Sequence, residues 1–570
     1  MTIYRRGSWS LGAVFAIALT SGATAQDGAG AYLAARQAGL DKNFEAASRY
    51  FVQAMLENQG HLEIMEKGIA AQMAAGRVPQ AISIAERLRA SGGTSQVASM
   101  ALAADDILTG NYREIFTSLE SGHTVGPLVD GLLQAWAFIA EGKIDAAIDA
   151  FDEVADTEGL TGFALYHKAL ALASIGRFDA AEAVMTSETG QIIARSRRGA
   201  IARAQILSEL DRDVEAAQLL TEVFGARRDP LVLRMQTTLA KGNGLSFDLI
   251  PTPRSGLAEV FFSVATALDG EMADDYTLLY TRTAAHIDPG HTDAILMSAR
   301  LLDRLGQHGL ATAAYDTITR DDPAFASAEM GRAEALRQSG QVEASIEVLR
   351  QLTETHGALP RVHALLGDTM RRLSRYDEAG RAYDRALNLM GDAAPWTILY
   401  YRGITKDRSG NWAEAEADLR AALDKNPDQP QVLNYLGYSL VEKNERLSEA
   451  LDMIDRAARA RPDAGHIIDS LGWALYRLGR VEEAVGQLER ATELEPTDPT
   501  INDHLGDAYW SVGRAKEARF QWRRALSFKP EPELASELQQ KIDRGLDFTG
   551  GAELDTVQRL AAERSSRDDG

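Results

Sequence analysis

The sequence predicts an all-α solenoid of stacked helix pairs. Three observations carry this. The stretch from His466 to Pro496 recurs from Thr500 to Pro530, placing Gly472 on Gly506, Gly479 on Gly513, Ala484 on Ala518, Ala491 on Ala525 and Pro496 on Pro530, each 34 residues apart. A fixed period of that size marks a stack of like supersecondary units. Within one unit, apolar residues fall at helical spacing twice, at Leu471, Leu475 and Leu478, then at Val485, Leu488 and Leu494. Neither segment is long enough to stand as a helix alone, so each must bury its apolar side against the next pair.

Each part of the unit has its cause. Gly479-Arg480 makes the turn between the helices. Glu482 and Glu483 sit in the first turn of the second helix, where the macrodipole favours negative charge. Pro496 stops that helix. Gly472 and Ala484 are small where the helices must approach closely. Trp473, Tyr476, Trp510 and Trp522 are large, and each either fills a gap or lies exposed.

This pattern resembles the tetratricopeptide repeat family. That family has a small residue at slot 8 of each unit, Gly at 15, Ala at 20, a bulky apolar residue at 24, Ala at 27 and Pro at 32. The unit ending at Pro530 matches with Gly506, Gly513, Ala518, Trp522, Ala525 and Pro530. The unit from Trp396 matches with Gly403, Gly410, Ala415, Leu419, Ala422 and Pro427. The resemblance implies a right-handed superhelix of antiparallel helix pairs.

Taken in order, residues 1–25 read as a signal peptide. Arg5 and Arg6 precede an apolar core from Leu11 to Leu19, and Ala23-Thr24-Ala25 fits cleavage before Gln26. The core is short for a membrane anchor. The residues around Arg5-Arg6 fit the general secretory route better than the twin-arginine route. Residues 26–230 form an N-terminal solenoid of degenerate copies, with slot 8 at Ala35, Ile69, Ala103, Ala135, Ala169 and Ala204. Residues 231–257 break the period. A helix at LVLRMQTTLA is followed by Lys241-Gly242-Asn243-Gly244, Pro251 and Pro253, which read as a seam that is either a hinge or an irregular connector. Residues 258–530 form a C-terminal solenoid, with slot 8 at Ala265, Ala299, Ala333, Gly367, Gly403, Gly437, Gly472 and Gly506. Extra residues fall in turns at GDAAP and KNERLSEA, where a solenoid tolerates insertion. Fourteen copies result. Residues 531–548 hold a polar capping helix ended by Gly545, and 549–570 form a charged tail with a short helix at 552–563.

Composition narrows the function. Hydrophobic content of 45% with 25% charged residues describes a folded chain. The net charge of −22, which becomes −24 once Arg5 and Arg6 are removed, argues against nucleic acid and anionic membranes as broad ligands. There is no cysteine, hence no disulfide and no lipid-bearing N-terminal Cys. No segment after residue 25 is apolar enough to span a bilayer. Metal, nucleotide and nucleophile motifs are missing from the sequence, and no cofactor is expected. His466, Asp469 and Ser470 share one helical turn, which does not place Asp and Ser on opposite nitrogens of one imidazole. The repeats leave no room for a separate catalytic domain.

A binding role is therefore expected. In the resembled family the first helix of each unit lines a concave groove. Its slots here hold Tyr400, Asp407 and Arg408, then Asn434, Tyr438 and Glu442, then His466, Asp469, Trp473, Tyr476 and Arg477, then Asp503, Asp507 and Trp510. Tyr400, Asn434, Tyr438, Asp469, Trp473, Tyr476, Asp503, Asp507 and Trp510 are the candidate partner-binding residues. Aromatic anchors and Asn suit an extended peptide. The aspartates favour a neutral or basic ligand. Trp473 and Trp510 are equally readable as packing residues. If they line the groove, replacing both with Ala removes partner capture and leaves melting unchanged. If they pack, melting falls. The resemblance implies a non-catalytic scaffold, exported to the periplasm and in one placement peripheral to the outer membrane, that binds an envelope protease or assembly machinery. An adaptor for polysaccharide synthesis or export is the alternative, and an enzyme with an unrecognised site is a third.

Overall fold

The structure is a computed structural model, and it describes residues 27–58, 60–225 and 229–546. The expected signal peptide and the C-terminal tail with its short helix lie outside the described residues. The described residues form 31 α-helices and no β-strand, apart from one bridge between Asp269 and Met272. None of these helices is long and apolar enough to cross a membrane.

All fourteen expected pairs are present. They begin with α1 (Asp27–Leu40) and α2 (Phe44–Glu57), α3 (Leu62–Ala74) and α4 (Val78–Ala90), and α5 (Gln96–Thr109) and α6 (Tyr112–Glu120). Then come α7 (Pro127–Ala140) and α8 (Ile144–Ala155), α9 (Thr161–Ser174) and α10 (Phe178–Met185), the short α11 (Glu188–Ile193), and α12 (Arg197–Glu209) and α13 (Asp213–Phe224). The unpaired α14 (Pro230–Ala240) precedes α15 (Pro253–Leu268) and α16 (Asp274–Ile287), α17 (Thr292–Arg304) and α18 (His308–Tyr315), and α19 (Phe325–Gln338) and α20 (Val342–Thr355). The last pairs are α21 (Pro360–Arg372) and α22 (Tyr376–Met390), α23 (Trp396–Arg408) and α24 (Trp412–Lys425), α25 (Pro430–Glu442) and α26 (Leu447–Ala460), α27 (Gly465–Arg477) and α28 (Val481–Leu494), and α29 (Pro499–Ser511) and α30 (Ala515–Ser527). The capping helix is α31 (Pro532–Arg544). The insertion at GDAAP forms a 3-10 turn over Gly391–Ala393.

The slot-8 residues, small in every copy but that of Ile69, are buried in every pair but one, because this is where the two helices of a hairpin touch. A β-carbon on Gly472 would lie 2.6 Å from Leu488 Cγ, so only glycine fits that crossing. In α5 Ala103 is only half-buried and Ala104 is wholly buried, so the third copy runs one residue late. Slot 15 takes left-handed backbone in thirteen pairs, and nine of these use glycine, as at Gly479 (φ 73°). Lys42, Asp211, Ser374 and Asn444 hold the same conformation with side chains.

The α15–α16 pair is the exception, with Gly270 in place of a slot-15 residue. It is also packed differently. First helices lie side by side in a layer, α3 on α5, α7 on α9, α25 on α27. Helix α15 packs across α7 and α9, and α16 packs across α3 and α5. Ahead of it, residues 241–252 are irregular but tied down. The backbone N–H groups of Leu245, Phe247 and Leu249 donate to Ser208, Glu209 and Gln205 of α12 at 2.6, 2.9 and 3.2 Å. These bonds favour the connector reading of the seam over the hinge. The chain divides instead into two compact units, one ending at Gln351 and one beginning at Leu352. Residues after the seam share a core with α1–α9, so the break in period is not where the units part.

Candidate partner-binding face

In unit 2 (from Leu352), α21, α23, α25, α27 and α29 form the first-helix layer. The candidate residues on it fall into two sets. Tyr400, Asn434 and Tyr438 are half-buried. Tyr400 belongs to an aromatic run with Trp396 at 6.2 Å, Tyr401 at 5.3 Å and Tyr435 at 6.1 Å between ring centres. Burial pushes its hydroxyl up to about 12. Burial, with Glu442 and Asp469 nearby, raises Tyr438 as well. Asn434 keeps its amide oxygen without a hydrogen-bond partner.

The second set is turned into the stack. Trp473 is 8% exposed. Its ring stacks on His504 at 4.1 Å and on Tyr476 at 5.0 Å, and its Nε1 donates to Glu442 at 2.7 Å. Tyr476 is buried, with its hydroxyl 3.2 Å from Ser511 Oγ. Trp473 is thus a packing residue. Trp510 is half-buried, lying 5.5 Å from Trp522 with Arg519 above it, and the chain folds over it at Gly545, where a β-carbon would come within 2.2 Å of the ring.

The aspartates are not open charges, which corrects the expectation that they draw a neutral or basic ligand. Asp469 holds His504 Nδ1 at 3.0 Å from both oxygens. Burial opposes charge on His504, yet Asp469 outweighs it and pushes the imidazole up to about 9. Asp503 and Asp507 both hold Lys541 Nζ of α31 at 2.9 Å, and Trp522 donates to Asp507 at 2.9 Å. Burial and the neighbouring Asp507 push Asp503 up to about 7 against the pull of Lys541. The expected polar cap therefore carries a buried lysine. His466, Asp469 and Ser470 part company: His466 faces Glu495, and Ser470 donates to the His466 carbonyl.

In unit 1 the corresponding face is filled. The inward slots of α7, α9 and α12 hold Trp136, Tyr166 and Arg198, and all three meet α15. A β-carbon on Gly256 would come within 2.3 Å of Trp136. Glu259, wholly buried on α15, accepts from Tyr166 at 2.6 Å, from Arg198 Nε and Nη2 at 2.8 and 2.6 Å, and from His291 Nε2 at 2.9 Å. His291 Nδ1 accepts from the Ala294 N–H, which places the ring proton on Nε2. Burial alone would raise Glu259, but Arg198 and His291 hold it far below the usual carboxylate range. The sequence signal for this cluster is a lone Glu inside the apolar run AEVFFSVA.

Beside this cluster, His167 Nε2 lies 2.9 Å from Ser263 Oγ. The pair is no nucleophile and base. Trp136 Nε1–H donates to His167 Nδ1 at 3.1 Å, so Nε2 carries the proton and donates to Ser263, which donates to the Val260 carbonyl. Burial pulls His167 down to about 4, consistent with a neutral ring. Among the described residues no cluster of acidic or histidine side chains has metal-site geometry.

With this geometry in view, comparison identifies the repeats. The description "Tetratricopeptide repeat" matches residues 132–191, 296–358 and 400–465, and "TPR repeat" matches 472–513. The chain belongs to the tetratricopeptide repeat family. It is similar to the TPR repeat-containing protein PA4667 of Pseudomonas aeruginosa, 27% identical over 187 residues, covering 32% of this chain and 31% of the relative. It is also similar to the cytochrome c-type biogenesis protein CcmH of Escherichia coli, 33% identical over 112 residues, covering 19% of this chain and 32% of the relative. The chain thus spans about a third of the length of these curated relatives. Among solved structures it is similar to the APC/C hetero-tetramer Cut9-Hcn1 (14% identity, TM-score 0.38, 92% of this chain and 97% of that one). A second is YrrB, described as a TPR protein with an unusual peptide-binding site (20% identity, TM-score 0.28, 34% of this chain and 99% of that one).

Proposed function

We propose that the protein is a non-catalytic scaffold that holds protein partners on the first-helix face of unit 2. One observation carries this. In unit 1 the equivalent face is filled by α15 and α16, whereas among the described residues of unit 2 no helix crosses α21–α27 in that way. Tyr400, Asn434 and Tyr438 lie half-buried on that face, and aromatic anchors beside an amide suit an extended chain. The tautomer of His167 supports a non-catalytic reading.

We place the protein in the periplasm on the strength of the charged, apolar and small-residue pattern of residues 1–25. The partner is an envelope protease or assembly machinery. The local likeness to a cytochrome c-type biogenesis protein favours assembly. The test compares wild-type chain with Tyr400→Ala/Tyr438→Ala as bait in envelope extracts. The double variant loses the captured protein while its helical circular dichroism persists. Equal capture by both baits refutes the assignment of this face. N-terminal sequencing of the periplasmic fraction should begin at Gln26, and a cytoplasmic chain beginning at Met1 refutes export.

A further inference from the structure

We propose that the first-helix face of unit 2, at the C-terminal ends of α21 and α23, receives an acidic segment of the partner polypeptide, with Arg371 as the anchor. This rests on the scaffold reading above. The Arg371 guanidinium lies over the Tyr401 ring, 4.4 Å from its centre, and its Nε donates to the Tyr383 hydroxyl at 3.3 Å. That hydroxyl donates to Asp368 at 2.6 Å. The side chain is half-buried and oriented by two neighbours, yet no carboxylate oxygen lies within 4.0 Å of it among the described residues. Its terminal nitrogens make no hydrogen bond there. A planar fork held in this way matches a carboxylate.

Arg372 and Arg408 stand exposed at the same end of the layer, also without an ion-pair partner among the described residues. The nearby carboxylates are engaged. Asp368 accepts from Tyr383, and Asp407 accepts from Tyr435 at 2.9 Å with Lys443 at 3.5 Å. On a chain of net charge −22 this is a local reversal of sign. Cations at helix C-termini also complement the macrodipole, which accounts for Arg372 and Arg408. It does not account for Arg371, which is fixed across to the next helix.

The test uses the full chain and three fluorescent probes: a peptide rich in Asp and Glu, its Lys and Arg counterpart, and an oligothymidylate of the same charge as the first. Anisotropy should show the acidic peptide bound most tightly, with affinity falling as salt rises. Arg371→Gln/Arg408→Gln should weaken it about tenfold, or ~1.4 kcal/mol. Arg372→Gln/Arg408→Gln changes exposed positions only and should also weaken it, with melting unchanged. Equal affinity for the basic peptide, equal affinity for the oligothymidylate, or no effect of either double variant overturns the proposal. A partner captured through Tyr400 and Tyr438 but indifferent to the arginine variants sinks this inference and leaves the scaffold standing. A chain that captures nothing sinks both.

Discussion

Trp473 shows how far a single residue can be read from its spacing. Its slot faces the groove in related repeats, yet here it is stacked between Tyr476 and His504. Trp473→Ala should therefore cost about 3 kcal/mol or more, by loss of buried area and an unfilled cavity, seen as a lower melting temperature. Unchanged melting would restore it to the groove. Glu259→Gln should destabilise unit 1 by about 3 kcal/mol, because Arg198 loses a buried counter-charge and two donors lose an acceptor. Denaturant unfolding measures it. At slot 15 the sign reverses. Ser374 holds φ 57° with a β-carbon, so Ser374→Gly should stabilise by roughly 0.5–1 kcal/mol. The small slot-8 residues and the turn glycines were legible in the sequence because their constraint is local. The partners of Trp473, Asp503 and Glu259 were not, because spacing fixes a residue's face and leaves its neighbour unnamed.

Among the elements, α31 is more than a polar cap. Its lysine is seated between two buried carboxylates of α29, and this makes the end of unit 2 sensitive to pH. The Asp503 carboxyl is pushed up to about 7, above its ordinary value of 3.8. The folded state favours its protonated form. That stabilisation is complete below the ordinary value and is lost as pH rises through 7. His504, raised to about 9, contributes in the same sense, with stability present below 6.5 and lost as pH passes 9. Unit 2 should thus melt lower at pH 9 than at pH 6, and Asp503→Asn should flatten the fall between pH 6 and 8. A melting temperature that rises over this range contradicts the raised Asp503 and His504. Helix α31 was visible in the sequence from Glu533 to Asp543, ended by Gly545. Its docking was hidden, because a lone Lys among polar residues reads as solvated.

Across the whole molecule, the period located all fourteen hairpins and could not locate the fold-back. Repetition encodes contact with the next pair along the stack, and α15–α16 breaks that rule by packing on α3, α5, α7 and α9. For the same reason the period runs unbroken through Gln351, where the compact units divide. Unit 1 thus spends its inner face on itself, and the matching face of unit 2 is the one we propose for partners. Photo-crosslinking in intact cells tests this most directly, with a reactive residue placed at Tyr438 on the first-helix face, at Glu482 on the second helix α28, and at Phe262 on α15. Protein adducts from Tyr438 alone are expected. Adducts from Phe262 would mean that α15 leaves its seat and the inner face of unit 1 takes partners, contrary to everything its burial implies.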